Sequence, residues 1–412
     1  MRIKVIIKKQ HNNMKLRSYE TYWLLKNGII NSYPSLQENI KCDIVVLGAG
    51  ITGALVSHAL LKAGYDTVVL DKRDVGAGST SATTSMLQYE IDTPMIDLAG
   101  IIGEEGAVIS YNAGINSLRI LEDINRKESI NGGFALKKSL QVSHSESNIQ
   151  KLREEFLFRK KHGFDVEWLT SQEIKERYKM NSFDGILSSE GASIDAFKFA
   201  HELFQKNHNR GLRIYDHTEL KRITYGERVI IKTKNGFKVE CKKIIFCTGF
   251  ETLKMFKEKY ADIVTTFATV SEENPNLYNE LKDLLIWETG MPYIYLRTTD
   301  DNRLLVGGED IHFKYNRISD KLKSKKSAKL IKKINVLLPD LHFIEDYIWA
   351  GAFGQTKDGL PYIGEHPDYN NAIFVLGFGG NGITFSTQAM SLVLKILAGE
   401  YDPLLYIYRF NR

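Results

Sequence analysis

Asp43-Ile44-Val45-Val46-Leu47-Gly48-Ala49-Gly50-Ile51-Thr52-Gly53 is the stretch that decides the fold. Its first half is a short, continuous apolar run of strand length, the pattern of a parallel strand buried on both faces. Its second half spaces glycines as Gly48-x-Gly50-x-x-Gly53. In such a turn the first glycine permits a tight reversal and the second lets a pyrophosphate approach the backbone. The third lets the following helix pack close to the strand. A helical pattern follows, carrying Ile51, Ala54, Leu55, Ala59 and Leu61 and stopped by Gly64. A second apolar run, Thr67-Val68-Val69-Leu70, ends on Asp71, 18 residues beyond Gly53. Strand, glycine turn, helix, strand and acid in that order predict a dinucleotide site. The helix N-terminus faces the anion, and Asp71 accepts hydrogen bonds from a ribose diol.

The motif alone does not separate NAD from FAD. Asp71-Lys72-Arg73-Asp74-Val75-Gly76-Ala77-Gly78-Ser79-Thr80-Ser81-Ala82-Thr83-Thr84 is a loop of small and hydroxyl residues. A loop of this kind can run along an extended FAD to its isoalloxazine end, so FAD is the expected cofactor. Further along, 96–128, 145–161 and 195–209 read as helices, with strands at Leu140–Ser143 and Phe164–Trp168. From Leu212 to Phe246 the pattern is β-rich, with a turn at Lys234-Asn235-Gly236. Ile244-Ile245-Phe246-Cys247 is another buried-strand run, ending in Thr248-Gly249. Residues 260–313 read as antiparallel strands and 318–338 as a Lys-rich helix. The chain closes with a strand at Ile373–Leu376, a glycine loop at 377–382 and a helix from about Thr384 to Ala398.

Composition narrows the class. With 412 residues, 43% hydrophobic and 25% charged, the chain has ordinary globular usage, and disorder and collagen-like repeats are excluded. Lys plus Arg (55) exceeds Asp plus Glu (50) by only 5, too little to point to nucleic acid. Cys42, Cys241 and Cys247 are too few and too scattered for a disulfide scaffold or a metal cluster. A reducing, cytoplasmic setting is expected, and no metal. No segment reaches the ~18 apolar residues of a membrane span, and Met1–Asn13 has no signal-peptide core. Met14 is an alternative start.

These motifs together resemble the D-amino acid oxidase-like family of FAD-dependent oxidoreductases, which includes sarcosine and glycine oxidases. Gly191-Ala192-Ser193-Ile194-Asp195 and Gly211-Leu212-Arg213-Ile214 are similar to its internal flavin-domain segment. So are Phe246-Cys247-Thr248-Gly249 and the C-terminal series from Trp349-Ala350-Gly351 through Thr356-Lys357-Asp358-Gly359-Leu360-Pro361-Tyr362-Ile363-Gly364 to Gly377-Phe378-Gly379-Gly380-Asn381-Gly382. The resemblance spans roughly residues 40–400. It implies an α/β protein with a discontinuous Rossmann-like FAD-binding domain (40–130, 185–260 and 345–400). An inserted α+β substrate domain with a mostly antiparallel sheet (131–184 and 261–344) and an N-terminal extension (1–39) complete the layout. It implies cofactor contacts from Gly48, Gly50, Ile51, Thr52, Gly53, Asp71, Lys72, Gly78, Ser79, Thr80, Ser81, Thr83, Thr84, Thr248 and Gly249. Gly379, Gly380, Asn381, Gly382, Ile383 and Thr384 would aim backbone N–H groups and a helix dipole at the flavin pyrimidine ring.

Two departures shape the expected chemistry. Covalent flavoproteins of the family carry a cysteine where this chain has Gly351, so the FAD is expected to be noncovalent. A substrate-binding lysine of sarcosine oxidase-like members is matched here by Thr384, which has no charge. Arg297, with Tyr293 and Tyr295 on the same strand face, is the alternative carboxylate anchor and the candidate catalytic set. Glu309 and His312 are weaker candidates. The expected reaction is oxidation of a small amine or amino acid by hydride transfer to flavin N5, with oxygen or another acceptor restoring the flavin. Alternatives are a hydroxy-acid or polyol-phosphate dehydrogenase, a flavin-binding protein without activity of its own, and an NAD enzyme. The Lys-rich helix (Lys321, Lys323, Lys325, Lys326, Lys329, Lys332 and Lys333) reads as a solvated face. Contact with an anionic membrane is its other reading.

Overall fold

The computed structural model describes residues 4–5 (backbone), 17–18, 20–274, 277, 279–290, 293–313, 318–376 and 379–412. Gly377 and Phe378 of the expected glycine loop lie outside the described residues.

The run Ile44–Leu47 is a strand with every residue buried. It sits inside a six-stranded sheet in the order Tyr362–Glu365, Ala372–Leu376, Lys243–Phe246, Ile44–Leu47, Thr67–Leu70, Arg213–Tyr215. All neighbours are parallel except the edge strand Tyr362–Glu365. Strand alternation divides its side chains between two cores. Ile44, Val46, Val69, Ile245 and Ile373 face the helices Ile51–Lys62, Glu104–Lys127, Ala196–His208 and Gly382–Ala398. Val45, Leu47, Val68, Ile244 and Phe374 face Ile223, Val229, Ile231 and Val239 of a small five-stranded sheet. The central strands Ile44–Leu47 and Ala372–Leu376 have apolar residues at every position because both faces are covered.

A nine-stranded sheet forms the rest of the frame. Its order is Glu345–Gln355, Asp262–Ser271, Leu304–His312, Ile294–Thr298, Leu284–Glu288, Ala135–Val142, Gly185–Ser193 and Met86–Leu87, with Val166–Leu169 also pairing Gly185–Ser193. Only Leu284–Glu288 with Ala135–Val142 is parallel. The helix Asp320–Leu337 packs Leu330, Ile334 and Leu337 on this sheet.

Two expectations need correction, the boundaries at 185 and 345 and the start of the last helix. Boundaries at 185 and 345 place Gly185–Ser193 and Glu345–Gln355 with the dinucleotide segments, yet both strands pair within the large sheet. Strand partnership is non-local, so linear order misplaces them. The N-terminal extension, where it is described, packs into the fold. Tyr22 and Trp23 on the helix Tyr22–Asn27 are buried, and Leu36 joins the core between the two smaller-sheet layers. The final helix starts at Gly382, two residues before the expected Thr384.

Among the described residues no helix is long and apolar enough to cross a membrane. The lysine-rich helix is partly turned inward: Lys326, Lys329 and Lys333 converge on buried Glu309 at 3.1, 3.4 and 3.7 Å. Glu309 is thereby committed to the helix, and His312 is exposed at the end of its strand.

Candidate functional site

Gly48 takes φ +107°, and a Cβ there would stand 2.5 Å from the Cys247 carbonyl oxygen. Only glycine lets the two parallel strands end this close together. Gly50 is the N-cap of the helix Ile51–Lys62, and a Cβ on it would meet Thr80 Oγ1 at 2.9 Å. That hydroxyl accepts the Ile51 N–H at 3.0 Å, joining the helix start to the hydroxyl loop. Gly53 packs against the Gly48 carbonyl and does not line the cavity described below. Its expected contact with the cofactor is replaced by a purely packing role.

Asp71 lines the cavity and also braces the turn. Its Oδ2 accepts the Ala49 N–H at 2.7 Å and its Oδ1 the Arg73 N–H at 2.9 Å. Burial raises its pKa, and these two backbone donors oppose the rise. Lys72 and Arg73 both pair with Glu251 at 2.8 Å.

The hydroxyl loop is held by its carbonyls. Trp349 Nε1 donates to Ala82 O at 2.8 Å, Trp23 Nε1 to Thr83 O at 2.6 Å, and Arg297 Nε to Thr84 O at 2.7 Å. None of these three donors lines the cavity, whereas Gly78, Ser79, Thr80, Ala82, Thr83 and Thr84 do. Ser81 turns away, donating to Gly78 O at 3.0 Å.

Arg297 therefore does not serve as the expected carboxylate anchor. It is buried, and its Nη2 donates to Ile194 O at 2.8 Å in addition to the Thr84 bond. Burial lowers its pKa to about 10. Strand period does place it on the face of Tyr295, but the hydroxyl loop closes over that end of the strand. Tyr293 and Tyr295 do line the cavity. Tyr293 donates to Asp310 Oδ2 at 2.7 Å, and Tyr295 lies 3.3 Å from Thr266 Oγ1. Tyr295 packs over Gly307, where a Cβ would be 2.4 Å from its ring. Burial raises both phenols, so each stays a neutral hydrogen-bonding group.

At the C-terminal glycine loop, Gly379, Gly380, Asn381, Gly382 and Ile383 line the cavity. Thr384 does not: its buried hydroxyl donates to Asn381 O at 2.8 Å. Asn381 Nδ2 bonds the carbonyls of Gln88 and Glu90 at 3.2 and 2.7 Å. The Gly380 N–H, expected to point at the flavin, donates to Asp92 Oδ2 at 2.8 Å. Asp92 is exposed to the open space of the cavity, within its walls. Burial raises its pKa, the Gly380 N–H opposes this, and nearby Asp310 adds to the rise.

One cavity of about 1760 Å³ joins these parts, from Gly48, Asp71 and Thr248–Gly249 to Tyr293, Tyr295, Trp287 and Gln88. Small-molecule sites usually occupy ~300–1,000 Å³, so there is room for an extended dinucleotide and a second molecule. Gln88, Glu90, Asp92, Gln141, Glu155 and Trp287 are lining residues that sequence reasoning missed. A signal existed for three of them. Gln88, Glu90 and Asp92 alternate with the apolar Leu87, Tyr89 and Ile91 directly after the hydroxyl loop.

The glycine turn and the hydroxyl loop fit FAD, because both line one cavity with the length and volume an extended dinucleotide needs. Comparison with known proteins agrees. The family model for FAD dependent oxidoreductases (DAO) matches residues 43–391. A provisionally named Rieske 2Fe-2S iron-sulfur protein, YhfW of Bacillus subtilis (strain 168), is 24% identical over 397 residues, covering 95% of this chain and 75% of that protein. Gamma-glutamylputrescine oxidoreductase of Escherichia coli (strain K12) is 24% identical over 381 residues, covering 90% and 87%. The crystal structure of glycine oxidase from Geobacillus kaustophilus superposes with a TM-score of 0.74 at 20% identity, over 88% of this chain and 96% of that one. The glycine turn that opens the sequence and the glycine loop near its end thus meet in one cavity, and the chain belongs to the DAO family of FAD dependent oxidoreductases.

Proposed function

We propose that the protein oxidises a small amine or amino acid at the carbon bonded to nitrogen. The observation that carries this reading is the single cavity lined both by the dinucleotide turn and by the polar wall of the large sheet, Tyr293, Tyr295, Gln141 and Trp287. Bound FAD would accept a hydride, two electrons with one proton, from that carbon. The nitrogen's lone pair takes up the positive charge left behind, water adds to the resulting iminium, and a carbonyl compound and ammonia or a smaller amine leave. The chain's own work is orientation. Tyr293 and Tyr295, neutral and 5.9 Å apart between ring centroids, present flat polar-edged surfaces to the substrate. Trp287, whose indole N–H donates to Ser139 Oγ at 3.1 Å, adds a fixed apolar wall.

The polyol-phosphate alternative loses support from the same wall. A phosphate calls for an available cation, and among the described residues Lys151 is the cation lining that end, already 2.8 Å from Asp97. Lys72, Arg73 and Lys254 belong to the opposite end, near Asp71 and Thr248. Oxygen or another acceptor would restore the flavin.

Anaerobic mixing of the yellow holoenzyme with amines, amino acids and hydroxy acids tests the reading. Amines or amino acids are expected to bleach the flavin and, in air, to release ammonia or a smaller amine. Bleaching by hydroxy acids alone overturns the assignment.

The flavin attachment is also proposed to be noncovalent. Cys247 is the cysteine lining the cavity, and burial keeps its thiol protonated. A side chain at Gly351 would meet Ala82 Cβ at 3.2 Å. Acid precipitation should leave the yellow colour in the supernatant. Colour retained in the washed pellet would contradict this.

A further inference from the structure

The large-sheet end of the cavity is lined by acids. Glu90, Asp92, Glu155 and Glu288 face it, and Asp310 stands behind Tyr293. Two of these are already engaged. Glu155 accepts Arg159 Nε at 2.6 Å and the N–H groups of Met95 and Ile96 at 2.9 Å. Glu288 lies 3.3 Å from His144 Nδ1.

Glu90 and Asp92 differ from them. Glu90 is 3% exposed; Arg159, the Ser139 hydroxyl and its own backbone N–H stand near its carboxylate, but neither oxygen accepts a hydrogen bond of good geometry. The nearest cationic atom, Arg159 Nη1, is 3.8 Å from it. Asp92 commits one oxygen to Gly380 and otherwise opens into the cavity. A buried carboxylate held only by a long ion pair, as Glu90 is, is incompletely compensated, and a second cation brought beside it lowers that cost. A substrate carboxylate, by contrast, would enter an acid-walled space. Arg297 is held by backbone carbonyls, Thr384 is uncharged, and Lys151 is paired.

We infer that this end of the cavity is built for an amine that bears a second ammonium group and no carboxylate beside the oxidised C–N bond, a diamine or polyamine. The inference rests on the amine reading above and gives it a substrate class. Glu90 and Asp92 hold the distal ammonium while the tyrosine wall holds the reacting end. Burial pushes the Glu90 carboxyl up to about 7, and an ammonium beside it favours the ionised form.

Anaerobic flavin-reduction kinetics on the holoenzyme test this. The probes are the α,ω-diamines of three to six carbons, the monoamines of equal length, ornithine and norvaline. At least one diamine should half-saturate at a concentration about tenfold or more below its monoamine, as one charge-assisted hydrogen bond provides. Norvaline should be the poorest, and ornithine should fall behind 1,4-diaminobutane. Glu90→Gln should shrink the diamine-over-monoamine preference about tenfold, with Asp92→Asn as the second variant should the first not hold flavin. Norvaline matching or exceeding every diamine overturns the inference, as does a preference unchanged in both variants. Reduction by hydroxy acids and by no nitrogen compound is a different failure, which overturns the amine reading itself.

Discussion

Gly53→Ala should yield a protein that purifies without flavin colour. A Cβ at this position would sit 1.9 Å from the Gly48 carbonyl oxygen, a backbone atom that cannot rotate aside. The helix Ile51–Lys62 would have to move off the strand Ile44–Leu47, taking with it the N–H groups proposed to face the FAD pyrophosphate. Ordinary overpacking costs about 1–3 kcal/mol, and this contact is closer than a side chain can relieve. FAD affinity should fall at least about a hundredfold, read as the ratio of flavin to protein absorbance after gel filtration and by titration with free FAD. Gly100→Ala is the matched control. Gly100 lies in the helix Met95–Ile102 with nothing within 4 Å of where an added methyl would stand, and ordinary helix propensity predicts a neutral or slightly stabilising change. Full flavin content in Gly53→Ala would show that the helix does not need its close approach to the turn.

Arg159→Met should cost about 3–5 kcal/mol, the penalty for leaving buried carboxylates without their cation. Arg159 is fully buried between Glu155, Gln141 and Glu90, with its guanidinium over the Tyr89 and Tyr111 rings at 5.9 and 5.6 Å. Methionine fills similar space without charge, so the loss reports electrostatics more than a cavity. The sign of the pH dependence follows from linkage. Glu90 already has a folded-state pKa above the unfolded value of ~4.3. Removing the cation raises it further, so the folded variant binds a proton at pH 6 that the unfolded chain does not. Its stability should therefore fall as pH rises from 6 to 8, more steeply than that of the parent. Urea unfolding at the two pH values measures this. Glu155→Gln added to Arg159→Met should recover part of the loss. Equal stability of variant and parent at both pH values would remove the arginine from this role.

Local pattern was enough for the nucleotide half of the molecule. A glycine turn between an apolar strand and a helix, followed by an acid after the next strand, depends on backbone sterics within about thirty residues. Asp71, Gly48, Gly50 and the hydroxyl loop could be read without knowing any distant partner. The same locality explains why the helices at Glu104–Lys127, Ala196–His208 and Asp320–Leu337 were legible, since each carries its own apolar stripe.

The substrate half was settled elsewhere. Tyr293, Tyr295 and Arg297 share a strand face, and period two treats them alike. The hydroxyl loop and Ile194 arrive from distant parts of the chain to claim Arg297 and leave the tyrosines open. Glu90 becomes the atypical acid only because the strand Ala135–Val142 and a buried arginine on the helix Ile149–Lys161 are brought against it. Trp23 tethers the hydroxyl loop from a segment whose sequence matches no nucleotide motif. Sequence by itself determined how the backbone would cradle a dinucleotide, because that depends on short-range sterics. Tertiary structure decided which charges remain free to meet a substrate, because burial and partnership are properties of what packs around a side chain.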